Sequence, residues 1–349
     1  MPLDPLHNLI GNEQVKGALR RMAEQKCVPN TLLFSGPDAI GKSLFATAFA
    51  KMLMGPAHAP KLDSQNHPDL HIYRPEGKAS VHTLESMRKL IQEMALPPNE
   101  APVKIFLIHD AHQMLPPSSN ALLKTLEEPS LDSYLILLSS NPDALLPTLL
   151  SRCPKIPFFS IPEPQIASYV QQKWKKTPQE ARQIAFLAHG SLGKAELLSS
   201  KGEFSWRAKL LELLRLRLLP QDYPEWQKIA TELEEEYTNL TAVEGEDEKE
   251  SGEAISASTL QADALFEEIL AWYRDLHLLK EGVSQEYLYH RDSLDHLRGA
   301  LSQPIPPLER VLEQIAGARL ALQRSIKLRS VLEFLQLALV CSREPTPPG

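Results

Sequence analysis

The sequence predicts an α/β fold, a P-loop core on a parallel sheet followed by helices alone, and three observations carry that prediction. First, Leu32-Leu33-Phe34, Leu70–Tyr73, Val103–Ile108 and Tyr134–Leu138 are short, mostly apolar runs that alternate with segments of helical periodicity. Runs without polar alternation belong to strands buried on both faces. Second, the first run leads into Gly36-x-x-x-x-Gly41-Lys42-Ser43 and then the helix-compatible Leu44–Met54. That is the P-loop pattern in the strand–loop–helix setting it requires. Third, beyond the proline-rich stretch Pro154–Pro164 the strand signals cease and only helical patterns remain.

Taken in order, Glu13–Gln25 places Val15, Leu19 and Met22 at helical spacing, and the P-loop unit follows. Residues 55–69, rich in Pro and His, read as a loop. His58, His67 and His71 lack a regular ligand spacing and a cysteine partner, so they are expected to be solvated loop histidines. Leu84, Met87, Leu90, Ile91 and Met94 share one side of a helix over Val81–Ala95. A shorter helix covers Ser118–Leu126 and is closed by Glu127-Glu128-Pro129. Downstream, Gln165–Lys175, Pro178–Ala188 and Lys194–Leu198 are short helices, with Gly190 and Gly193 breaking the run. In Trp206–Leu219 the interleaved Arg207, Lys209, Arg215 and Arg217 suit the solvated face of an amphipathic helix. Glu232–Glu253 is acidic and poor in apolar residues, which predicts a mobile insertion (around 232–258). Helical patterns resume over Leu260–Lys280 and Ile305–Leu339.

Bulk properties exclude several classes. The 349 residues carry 37 Lys and Arg against 44 Asp and Glu, a net charge of −7. No global basic field marks a free-standing nucleic-acid binder. Three cysteines without paired spacing argue against a disulfide framework and a cysteine zinc site. No apolar run approaches the roughly 20 residues of a membrane span, and the first residues lack a signal-peptide pattern. A cytoplasmic protein with no membrane partner is expected.

The chemistry-bearing residues gather at predicted strand ends, where ligands bind in doubly wound sheets. Gly36 and Gly41 let backbone N–H groups face phosphate oxygens, Lys42 reaches the outer phosphates and Ser43 helps hold Mg²⁺, so ATP with Mg²⁺ is the expected ligand. Asp110, after Ile105–Ile108, reads as the acid that holds the magnesium water shell, and Ser139-Ser140 ends the neighbouring strand. The next residue is Ala111, which has no acid or base function, so binding without efficient hydrolysis is expected. His112 points to the other face if strand geometry continues. Arg152, between the sheet region and the helical one, is either a surface charge or an arginine finger for a neighbouring subunit.

The run Asn120–Pro129 (NALLKTLEEP) and the later Leu149–Cys153 (LLSRC) resemble the bacterial clamp-loader subunits of the AAA+ superfamily. So do His67–Leu70, Arg74–Lys78 and Ile108–Ala111, the last matching the Asp-Ala pair of the non-motor subunits rather than the Asp-Glu of the motors. The resemblance implies a AAA+ core (1–160), a helical lid (161–203) and a collar domain (204–349) closing a five-membered ring. It implies motor (gamma/tau) and delta subunits as partners, with the sliding clamp and primer-template DNA reached through the complex. It makes Arg152 the finger offered in trans to a neighbour's ATP. Three departures stand out. The family's cysteine zinc module is absent, so no zinc is expected; the P-loop is intact; and Gly193, beside Lys194, occupies the place of the motors' second sensor arginine.

Overall fold

The computed structural model describes residues 4–76, 81–128, 132–200, 205–216, 221–242, 257–301, 304–324 and 326–340. The chain divides into two compact units, residues 1–200 and 201–349.

The first unit begins with α1 (Glu13–Glu24), β1 (Thr31–Ser35), α2 (Lys42–Met54), α3 (Ala59–Asp63) and β2 (Leu70–Tyr73). It continues with α4 (Leu84–Met94), β3 (Lys104–Ile108), α5 (Pro116–Glu127), β4 (Ser133–Ser139), α6 (Pro147–Leu150) and β5 (Lys155–Pro157). The five strands form one parallel sheet in the order β2-β3-β4-β1-β5. Strand side chains alternate between faces, and each face has its own core. Leu32, Phe34, Ile105, Leu107, Ile136 and Leu138 pack with Leu19 of α1 and Phe45 and Phe49 of α2. Leu33, Phe106, Ile108, Leu135 and Leu137 pack with Met87 and Leu90 of α4 and Leu122 of α5. This two-sided burial is why the strands read as continuous apolar runs.

Two departures from expectation lie here. Residues 55–69 are not simple loop: a 3₁₀ turn, Pro56–His58, runs into α3, anchored by the fully buried Leu62. The stretch Pro154–Pro164 contains the strand β5, which its prolines conceal because an edge strand tolerates them. Three helices, α7 (Glu163–Trp174), α8 (Pro178–Leu187) and α9 (Leu192–Ser200), complete the unit. A capping box between Thr177 and Glu180 starts α8.

The second unit is helical among its described residues: α10 (Ser205–Arg215), α11 (Tyr223–Ala242), α12 (Ala257–Lys280), α13 (Leu294–Ala300), α14 (Leu308–Gln323) and α15 (Leu328–Val340). Trp226, Phe266 and Trp272 are fully buried in it. The side chain of Gln336 ties three helices together. It accepts from the Trp226 indole and donates to the carbonyls of Leu213 and Leu216. The acidic stretch expected to be unpacked from Glu232 onward is helical as far as Ala242, because Leu233 is buried and Lys209 pairs with Glu232 and Glu236. Residues 243–256 of that stretch lie outside the described residues. Nor is Arg207 on a solvated face: it is buried and paired with Glu268. Arg217 lies outside the described residues.

Candidate nucleotide site and arginine finger

Register places the candidate residues together. Ser35 of β1 aligns with Ser139 of β4, and the Gly36 N–H donates to the Ser139 carbonyl at 3.1 Å. Ile108 of β3 aligns with Leu137 of β4, so Asp110 follows the same edge of the sheet. The loop from Gly36 to Gly41 turns with φ of 155° at Gly36 and 96° at Gly41, and Lys42 opens α2. A Cβ at Gly36 would sit 2.4 Å from the Phe158 carbonyl oxygen, so only glycine fits between the loop and the chain after β5. Lys42 is buried at 3% exposure, and its Nζ donates to the carbonyls of Gly36 (3.0 Å) and Pro37 (2.7 Å). These bonds compensate the burial of the ammonium and hold it over its own loop. The geometry therefore fits a phosphate group: backbone N–H groups at a helix N-terminus and a cation fixed beside them. Ser43, at the second position of α2, and Asp110 would be the residues to hold Mg²⁺.

Asp110 has φ of 46°, in the left-handed region that Asp tolerates better than most residues. Burial pushes its carboxyl pKa up, as does Asp38, while His112 and Lys42 pull it down. The chain then curls into a 3₁₀ turn over Ala111–Gln113 instead of continuing as a strand. Ala111 is fully buried and offers no base. His112 is consequently not on the opposite face. Its Nδ1 lies 3.4 Å from the Ser139 hydroxyl. Ser140, after β4, is half-buried. Neighbouring His109 is buried, and its pKa falls to about 4 because burial disfavours the charged ring and Arg74, His82 and Lys42 oppose it.

Ser191, which no motif announces, and Gly193 also reach the P-loop. The Ser191 hydroxyl (2.8 Å) and the Gly193 N–H (3.0 Å) both donate to the Ala39 carbonyl. The start of α9 thus rests on the loop apex. A Cβ at Gly193 would stand 3.1 Å from that of Ala39, so a larger residue there would require the loop to give by a few tenths of an ångström.

The histidines expected to be solvated are not all so. His67 is buried, and His58, His67 and Glu100 each bring a potential metal-ligand atom within 4.8 Å of the others. Tautomers decide against a metal. The Asp69 N–H donates to His67 Nδ1, so in the neutral ring the proton sits on Nε2 and is donated to His58 Nδ1 at 2.8 Å. A metal-bound histidine does the reverse, donating its other ring N–H outward. Lys61 in turn pairs with Glu100. The two histidines form a hydrogen-bonded pair held by the Asp69 N–H, and the Asp69 carboxylate accepts from the backbone of Asn99, Glu100 and Ala101.

Arg152 lies apart from the P-loop residues, following the one-turn helix α6. Leu149 and Cys153 on either side of it are buried, so its backbone is anchored. Its guanidinium donates to Glu127 Oε1 (2.5 Å) and to the Thr148 carbonyl (2.9 Å).

Residues 11–162 match the family described as DNA polymerase III, delta subunit. The matched residues lie within the first unit. Among curated relatives, the delta prime subunit of DNA polymerase III from Bacillus subtilis is 31% identical over 215 residues, covering 57% of this chain and 63% of the relative. Its counterpart from Pseudomonas aeruginosa is 31% identical over 204 residues, covering 54% and 61%. The tau subunit of DNA polymerase III from Bacillus subtilis is 25% identical over 316 residues, covering 86% and 54%. The chain spans less than two thirds of the length of each of these relatives. No helix among the described residues is long and apolar enough to cross a membrane.

Proposed function

We propose that this chain is the delta prime type, non-motor subunit of a DNA polymerase III clamp loader. It completes a neighbouring subunit's ATP site with Arg152, and the complex loads the sliding clamp on primer-template DNA. The observation that carries the proposal is Ala111. Beside a loop, a lysine and an aspartate that suit a nucleotide, the residue that would activate water is a buried methyl group. The chain's own site then holds ATP and Mg²⁺ through Gly36, Gly41, Lys42, Ser43 and Asp110, with Ser139 and Ser140 at its edge. Mg²⁺ held there by Ser43 and Asp110 would supply positive charge against the phosphates. Hydrolysis belongs to the neighbour, whose transition state Arg152 stabilises. In this reading residues 161–203 act as the lid and 204–349 as the collar, with gamma/tau and delta subunits as ring partners.

A second reading, a motor ATPase, is favoured by the preformed P-loop and opposed by Ala111. One experiment separates the two. In the complex reconstituted from this organism's own subunits, Arg152→Ala should leave assembly intact and cut ATP turnover at the neighbouring site by about 10³-fold or more. Unchanged turnover would exclude the finger role.

A further inference from the structure

The finger itself has a holder. Arg152 follows the single turn of α6, and an arginine there faces solvent on a long side chain with considerable rotamer freedom. In this structure the guanidinium is not loose. One Nη donates to the Thr148 carbonyl at 2.9 Å and lies 3.4 Å from the Ser151 hydroxyl. The other donates to Glu127 Oε1 at 2.5 Å. Glu127 is the last residue of α5, and the far end of that helix is rigidly seated. There the Ser118 hydroxyl donates to the His82 carbonyl at 2.8 Å, and Ser118, Ser119 and Leu122 are buried. Side-chain exposures of 37% for Arg152 and 53% for Glu127 make this an open pair. Such pairs contribute little to stability. What an exposed pair on two anchored backbones does supply is direction.

We propose that Glu127 is a positioning residue for the trans finger: it and the Thr148 carbonyl hold the Arg152 guanidinium in one orientation before a neighbour's nucleotide arrives. This rests on the finger reading of Arg152. Being solvated, the pair is weak enough for a triphosphate, with more negative charge, to take over the guanidinium as the neighbour docks. The ordering cost of the side chain is met in advance, so less of it falls on the transition state.

The test is a double-mutant cycle in the complex reconstituted from this organism's own subunits, reading kcat and KM for ATP. Glu127→Ala should lower kcat about tenfold, less than the roughly 10³-fold loss from Arg152→Ala, with KM little changed. Glu127→Gln, which keeps an acceptor oxygen, should recover part of the loss. The decisive arm is Glu127→Ala in the Arg152→Ala background, which should cost nothing further, because the glutamate acts only through the arginine. Wild-type or raised turnover for Glu127→Ala would overturn the proposal. So would an equal loss in both backgrounds, which would mark a structural role. If Arg152→Ala alone changes nothing, the finger reading fails first, and that result is distinct from the others.

Discussion

At the residue scale, the P-loop shows how one missing Cβ sets a site. Gly36 sits in a backbone region unfavourable to other residues, and a methyl there would meet the Phe158 carbonyl at 2.4 Å. Gly36→Ala should therefore destabilise the first unit by about 2–3 kcal/mol, through strain and overpacking together. In thermal unfolding this corresponds to a loss of roughly 5–10 °C for a unit of this size. A melting point unchanged from wild type would mean that the chain after β5 yields easily. Ala111 and His112 illustrate what spacing cannot say. The type of residue is plain in the sequence, but the face it occupies depended on the left-handed turn at Asp110, which brought His112 back to Ser139. Local patterning carries no signal for such a turn beyond the presence of an aspartate.

At the scale of elements, the helical unit contains a buried ion network that replaces part of an apolar core. His290 stands between two carboxylates of α12: its Nδ1 is 2.9 Å from Asp275 and its Nε2 is 3.1 Å from Glu268. All three side chains are fully buried. Arg207 of α10 pairs with Glu268 and Arg274 with Asp275, while the rings of Trp272 and Tyr289 pack edge-on to the imidazole. Burial opposes a charged imidazole, but the two carboxylates outweigh it and raise the His290 pKa. A pKa raised on folding contributes stability that is fully present below the unfolded value and is lost as pH rises through the folded one. The segment that carries His290 should therefore loosen above neutral pH. The backbone amides of Tyr289 and His290 both donate to Asp275 Oδ2, so their hydrogen-exchange protection reports it. After correction for intrinsic rates, protection should fall between pH 6 and pH 9 in the wild type. In His290→Gln it should be lower at pH 6 and nearly flat. Equal protection across the range in the wild type would refute the coupling.

For the whole molecule, a P-loop followed at the next strand end by the buried Ala111 has a testable consequence. The isolated chain should bind Mg-ATP and turn it over negligibly, and Lys42→Ala should abolish binding by removing the cation held over the loop. Equilibrium binding by calorimetry checks this. Binding that survives in Lys42→Ala would place the nucleotide elsewhere, and rapid turnover by the isolated chain would favour the motor reading.

Much of this was legible in the residues alone. Four apolar runs and the glycine–lysine spacing determined the parallel sheet, its two-sided burial and the turn of the glycine loop into α2, because strand burial and loop geometry are local demands on residue type. Ala111, too, declares its lack of acid–base chemistry by identity. Only tertiary structure decided which polar groups meet across the chain. The pairing of Arg152 with Glu127, the seating of Ser191 and Gly193 on Ala39 and the carboxylates around His290 all join residues separated in sequence. The charged residues among them read, in isolation, as solvated surface. Desolvation and partner geometry, which arise only when distant elements pack, turned them into structure.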